Sequence, residues 1–100
     1  KEPILLTELE YNILKFIADN TSNMYISRTK TGNLFLNRGK PKKDNVNEMW
    51  IGEYSTSLIP FNKLFKFIMW EDKEPYAICD ILKHCRVIND TIIMHKIVDE

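Results

Sequence analysis

Apolar positions recur at helical spacing in two separate stretches of this chain, and the rest of its pattern is organised around the second. Phe61, Leu64, Phe65 and Ile68 stand at i, i+3, i+4 and i+7, which places four large side chains on one face of a predicted helix. Pro75 then sits where a first helical position tolerates a missing N–H, and Ile78, Ile81, Leu82 and Cys85 repeat the spacing. The pattern therefore predicts two amphipathic helices joined by an acidic elbow, Trp70 to Glu74, covering one face of a sheet made by earlier residues. The first stretch lies near the N-terminus. Thr7 with Glu10 reads as a capping box, and Leu9, Ile13, Phe16 and Ile17 form the apolar stripe of a helix ending near Asn20.

Between the helices the period changes. Met24 to Thr29 and Leu34 to Asn37 are short β-prone runs joined by Lys30-Thr31-Gly32-Asn33, which predicts a hairpin. Arg38 to Asn47 has one apolar residue, Val46, together with Gly39 and Pro41, and reads as an exposed loop. Met49 to Tyr54 is a predicted third strand in which Gly52 marks a bulge or the close approach of another backbone, and Ser55 to Ser57 return the chain to the helices. After Cys85, the β-branched residues Val87, Ile88, Ile92, Ile93 and Ile97 favour a second hairpin about Asn89-Asp90-Thr91, although Ile93 with Ile97 also fits a helix. The expected fold is α+β: one domain, residues 1–100, with a small antiparallel sheet of three to five strands packed on one side by about three helices.

Composition adds bounds. A chain of 100 residues, 44% apolar and 28% charged, supports one core. No apolar run approaches the ~18 residues of a membrane span, and the N-terminal residues lack a signal-peptide core, so no membrane contact and a cytoplasmic location are expected. The glycosylation patterns at Asn20 and Asn89 then have no consequence. Cys79 and Cys85, about 240° apart on a common helix, are expected to be reduced thiols.

Formal neutrality conceals a segregation of charge. Arg28, Lys30, Arg38, Lys40, Lys42 and Lys43 fall in a stretch without an acid, while the other 80 residues hold 8 basic and 14 acidic ones. A positive lobe of this kind attracts phosphates or an acidic protein surface. Lysines also collect on exposed loops merely because they are well solvated. Tyr25, Phe35 and Trp50 lie near the lobe, where stacking on a base is one use and core packing the commoner one.

Catalytic and metal chemistry find little support. Glu71, Asp72 and Glu74 lack the spacing and glycine of a calcium loop and read as a solvated connector. Cys79, His84, Cys85 and His95 have no zinc-ligand spacing, and the three glycines make no phosphate loop. A nuclease trio of Asp44, Glu53 and a lysine is the kind of grouping that chance supplies. No enzyme activity, metal or cofactor is expected.

One string goes beyond composition. Phe61, Leu64, Phe65, Phe67, Ile68, Trp70, Glu71, Asp72, Glu74, Pro75, Tyr76, Ile78 and Leu82 fit an F..LF.FI.WED.EPY.I..LL pattern. In this the chain resembles small uncharacterised proteins encoded by phages and prophages of Gram-positive bacteria. Ile26 to Arg28, Gly32, Leu34, Pro41 and Trp50 resemble the same group more loosely, so that residues 23–82 are covered. The basic loop is more strongly charged than that group implies, and the tail from Lys83 to Glu100 runs past its usual end. The resemblance implies a genomic context rather than a chemistry: small phage proteins commonly bind and block a host or defence protein, as anti-CRISPR proteins do.

The expected function is therefore inhibition of a host or defence protein by contact, with Trp50 or Trp70 as anchors and the acids Glu71, Asp72 and Glu74 as a phosphate mimic. The alternative is a nucleic-acid-binding module using Arg28, Lys30, Arg38, Lys40, Lys42 and Lys43, and a weaker one is capture of a nucleotide signal at the sheet. Oligomeric state is not legible in the sequence.

Overall fold

In the computed structural model, which describes residues 2–88, the capping box forms as the sequence predicts. The Thr7 hydroxyl accepts from Glu10 N–H at 3.1 Å, and the Glu10 carboxylate accepts from Thr7 N–H at 2.9 Å. A short strand, β1 (Ile4–Thr7), leads into helix α1 (Glu8–Asn20). The helix presents a different face from the expected one. Glu10 and Leu14 are buried, and Ile13, Ile17 and Ala18 pack at their flanks, whereas Leu9 and Phe16 are exposed. β1 accounts for the rotation, because the strand that seats Leu6 in the core fixes which side of the helix follows it inward.

The predicted hairpin is present as β2 (Met24–Arg28) and β3 (Leu34–Arg38), paired from Met24↔Arg38 to Arg28↔Leu34. The single predicted strand Met49–Tyr54 divides in two. Met49–Ile51 is β5, paired with β4 (Lys42–Asp44) in a ribbon, and Tyr54–Ser57 is β6, paired with β3. The loop expected over Arg38–Asn47 is thus partly a strand, and Pro41 within it is fully buried. Asp44 makes this ribbon tenable: its carboxylate accepts from Val46 N–H, Asn47 N–H and the Asn47 amide, closing a turn that the polar composition read as structureless. At Gly52, where a bulge or the close approach of another backbone was expected, a Cβ would lie 3.4 Å from Asn37 Cβ and 3.5 Å from Pro41 Cβ, ordinary van der Waals separations, so the position does not demand glycine.

The first predicted helix of the anchor is the largest correction. Ile59–Phe61 forms one 3₁₀ turn, and residues 62–75 continue as turns with Phe65 at φ 56°. The spacing still served burial: Phe65 and Ile68 are in the core and Phe61, Leu64 and Phe67 pack against it. Pro75 does not open a helix either. It precedes a two-residue strand, β7 (Tyr76–Ala77), which pairs with β2, and α2 covers only Ile78–Lys83. Cys85 begins β8 (Cys85–Ile88), which pairs in parallel with β1 from Ile4↔Cys85 to Thr7↔Ile88. The predicted hairpin partner Ile92–Met94 and the Ile93–Ile97 pair lie outside the described residues.

Among the described residues the fold is mixed α and β with a four-stranded antiparallel sheet in the order β6-β3-β2-β7, two helices in place of about three, the β4–β5 ribbon and the β1–β8 pair. Alternation along the strands gives the sheet two unlike faces. Ile26 and Leu34 join Leu6, Leu14, Phe65, Ile68, Ile78 and Ile81 in the core. The other face carries Tyr25 and Phe35 together with a polar ladder in which Ser27 Oγ donates to Asn37 Oδ1 at 2.8 Å and Asn37 Nδ2 donates to Ser55 Oγ at 2.9 Å. Ser27 and Asn37 are buried there, so the sheet is covered on this side too, where packing on one side was expected.

Candidate functional site

Arg28, the first residue of the predicted basic lobe, turns inward. Its Nε donates to Ile68 O at 2.7 Å, Nη1 to Gly32 O and Asn62 O at 2.9 Å each, and Nη2 to Leu64 O at 2.8 Å and Phe65 O at 3.0 Å. A guanidinium has five N–H groups, and all five are used. Burial lowers its pKa from the ordinary value, yet arginine remains charged, so one cation gathers five carbonyls that no helix ladder serves. From the other side, the Glu10 carboxylate accepts from Phe65 N–H. Asn62 adds a clasp, accepting from Leu34 N–H at 2.9 Å and donating to Asn33 at 2.8 Å. Arg28 is accordingly spent on positioning the loop that replaced the expected helix.

Lys43 is also drawn inward. Its Nζ donates to Trp70 O at 2.6 Å and lies 4.5 Å from the Trp70 ring centre and 5.1 Å from that of Trp50. The two indoles meet edge to face at 6.4 Å, and Trp50 is 5% exposed, which removes it as an anchor for a partner. Lys30 pairs with Glu48 and Lys40 with Glu74, each at 2.8 Å. Both ammonium pKa values are raised, first by the hydrogen bond to the carboxylate and then by its charge. Arg38 and Lys42 are exposed, and among the described residues no carboxylate lies within ion-pairing distance of either.

The acidic elbow is likewise divided. Glu74 is taken by Lys40, Asp72 Oδ2 accepts from Met69 N–H at 2.9 Å, and Glu71 is exposed. Both cysteines are free thiols, Cys79 exposed and Cys85 half-buried. Among the described residues no group of three His, Cys, Asp or Glu could hold a metal. Asp44, once a candidate acid, spends its oxygens on the ribbon turn. Its pKa is held below the ordinary carboxylate value first by the Asn47 N–H and then by the Asn47 side chain.

A feature of another kind lies at the opposite sheet edge, where pattern reasoning saw only a connection. Among the described residues β6 has β3 on one side and no strand on the other, and all four of its residues are exposed. Beside it, between the end of α1 and the sheet, runs an open groove of about 650 Å³ with Met24, Leu36, Arg38, Tyr54 and Thr56 along its sheet side. The run Tyr-Ser-Thr-Ser was the available signal: β-branched and aromatic residues alternate there with serines. No helix among the described residues is long and apolar enough to cross a membrane. No protein-family model, curated protein or solved structure matches the chain.

Proposed function

We propose that the chain is a small binding protein that inhibits a host or defence protein by protein–protein contact, of the anti-CRISPR or other anti-defence kind that the phage resemblance implies. The observation that supports this reading is how the surface is divided. Four of the six lobe cations are engaged by the chain's own carbonyls, indoles and carboxylates, while large apolar side chains stand in water: Val46 at 89% on the ribbon tip, Phe16 at 70% on α1 and Tyr54 at 63% on β6. Contact surfaces between proteins gain most from desolvating such groups, whereas phosphate binding depends on free cations. Among the charged candidates, Arg38, Lys42 and Glu71 are exposed and make no ion pair among the described residues.

The test is capture of proteins from a Gram-positive host lysate on the immobilised chain, with a triple variant, F16S/V46S/Y54S, as control. Retention of a protein that the triple variant loses is the expected result. A gel-shift titration with duplex DNA and RNA at two salt concentrations runs beside it. Binding of nucleic acid that falls steeply with salt, with no protein retained, would replace this reading by the nucleic-acid module.

A further inference from the structure

The outer edge of β6, unpaired among the described residues, has a definite chemistry. Leu58 N–H donates to Leu34 O at 2.9 Å, and the register Leu36↔Thr56 and Arg38↔Tyr54 continues that phase. In an antiparallel ladder hydrogen-bonded pairs alternate with non-bonded ones, so the N–H and C=O groups of Ser55 and Ser57 point away from β3, out of the sheet. Natural sheets blunt such edges with proline, lysine, a bulge or a covering loop. Tyr54 to Ser57 contains neither proline nor lysine, and its paired register with β3 is unbroken.

The side chains around the edge say what would suit it. Tyr54 and Thr56 face the groove, next to Arg38 and Leu36 on β3. Asp19 also lines the groove, but Lys15 holds its carboxylate at 2.8 Å, whereas Arg38 has no carboxylate within ion-pairing distance among the described residues. Strands lie about 4.8 Å apart, so a residue added opposite Tyr54 would stand two strand spacings from Arg38, a gap that a guanidinium and a carboxylate close between them. A second copy of β6 brings no acid within Tyr54 to Ser57 to meet that charge.

We propose that β6 accepts an extended acidic segment of the partner protein as an added strand, with an Asp or Glu opposite Tyr54 reaching Arg38 and an apolar residue two positions away lying over Thr56 and Leu36. This rests on the inhibitor reading and names its contact. The mode is strand addition, in which main-chain hydrogen bonds give affinity and alternate side chains give specificity.

The probe is a displayed library of random twelve-residue peptides, selected on the purified chain. Two variants test it: Ser57→Pro, which removes an outward N–H without touching a β3 hydrogen bond, and Arg38→Glu, which reverses the groove charge. Circular dichroism melting confirms that each still folds. Enrichment of peptides with an acid two positions from an apolar residue, each weakened about ten-fold or more by both variants, is the expected result. Protection of the Ser55 and Ser57 amides from exchange on adding a selected peptide is expected with it. Peptides without acids, or peptides indifferent to both variants, would overturn the proposal, as would selection yielding nothing that distinguishes the chain from Ser57→Pro. A concentration-dependent dimer abolished by Ser57→Pro would assign the edge to a second copy instead. A lysate protein retained equally by the parent chain and both variants would overturn the edge while leaving the inhibitor reading intact. Absence of any retained protein would remove that reading, and the peptide selection still decides the edge.

Discussion

Glu10 and Arg28 hold the two polar backbone atoms of one residue: the carboxylate accepts the Phe65 N–H and the guanidinium donates to the Phe65 C=O. Phe65 can thus sit at φ 56° with its ring fully buried, although phenylalanine in the left-handed region costs about 1 kcal/mol or more. The loop from Asn62 to Ile68 has isolated turn bonds, Leu64 N–H to Phe61 O and Ile68 N–H to Phe65 O, in place of a helical ladder, and these two charges add to them.

Replacing Arg28 by lysine keeps the charge but not the fork. An ammonium offers three donors where five carbonyls wait, so Arg28→Lys should destabilise the fold by about 2–4 kcal/mol in urea titrations. A loss below 1 kcal/mol would mean that water serves those carbonyls as well.

Glu10 separates its two duties in exchange experiments. Glu10→Gln retains an oxygen for only part of the network and should cost about 1–2 kcal/mol, and Glu10→Ala more, since it strands both the Thr7 and the Phe65 N–H. Faster amide exchange at Phe65 in both variants is the signature, because a change confined to the cap would affect the first turn of α1 alone.

Backbone relief and core packing oppose each other at Phe65. Glycine there recovers about 1 kcal/mol of strain but removes a side chain whose loss from a core costs about 3–5 kcal/mol. Phe65→Gly should therefore be net destabilising by about 2–4 kcal/mol, and a stabilised variant would show the ring to be dispensable.

Lys43→Met keeps the aliphatic stem against both indoles and removes the cation and its bond to Trp70 O. The expected loss is about 1–2 kcal/mol, with a change in tryptophan fluorescence because both rings border the substituted group. Unchanged stability would place the ammonium in water.

The acid side of the pH profile should pass through the ribbon turn. Asp44's pKa lies below its ordinary 3.8 in the fold, so the turn's contribution is present above that value and is lost as pH falls through the depressed one. Lys30 and Lys40, raised above 10.5 by Glu48 and Glu74, act in the opposite sense: their contribution is present below 10.5 and is lost as pH rises through the raised values. An NMR titration of the Val46 and Asn47 amides should show the acid step, and Asp44→Asn should abolish it.

Local chemistry was legible where its partners are near in sequence. Thr7 and Glu10 announced the helix start and the Gly32 turn announced the hairpin, because capping and turn strain act within a few residues. The periodicity of Phe61, Leu64, Phe65 and Ile68 reported burial correctly and conformation incorrectly. Spacing records which side chains seek the core and carries no information about where the carbonyls will find donors.

Those donors were settled only by the tertiary structure. Arg28 reaches carbonyls up to 40 residues away, and Lys43 finds Trp70 27 residues on, so two cations of a run that reads as a solvated lobe are consumed inside the fold, while the other four stay at the surface. Whether a charge faces water depends on which acceptors the folded chain brings within about 3 Å, a condition fixed by the packing of distant segments. The exposed edge of β6 is of the same kind: its sequence permits a strand, and only the strand order leaves one side of that strand unpaired among the described residues.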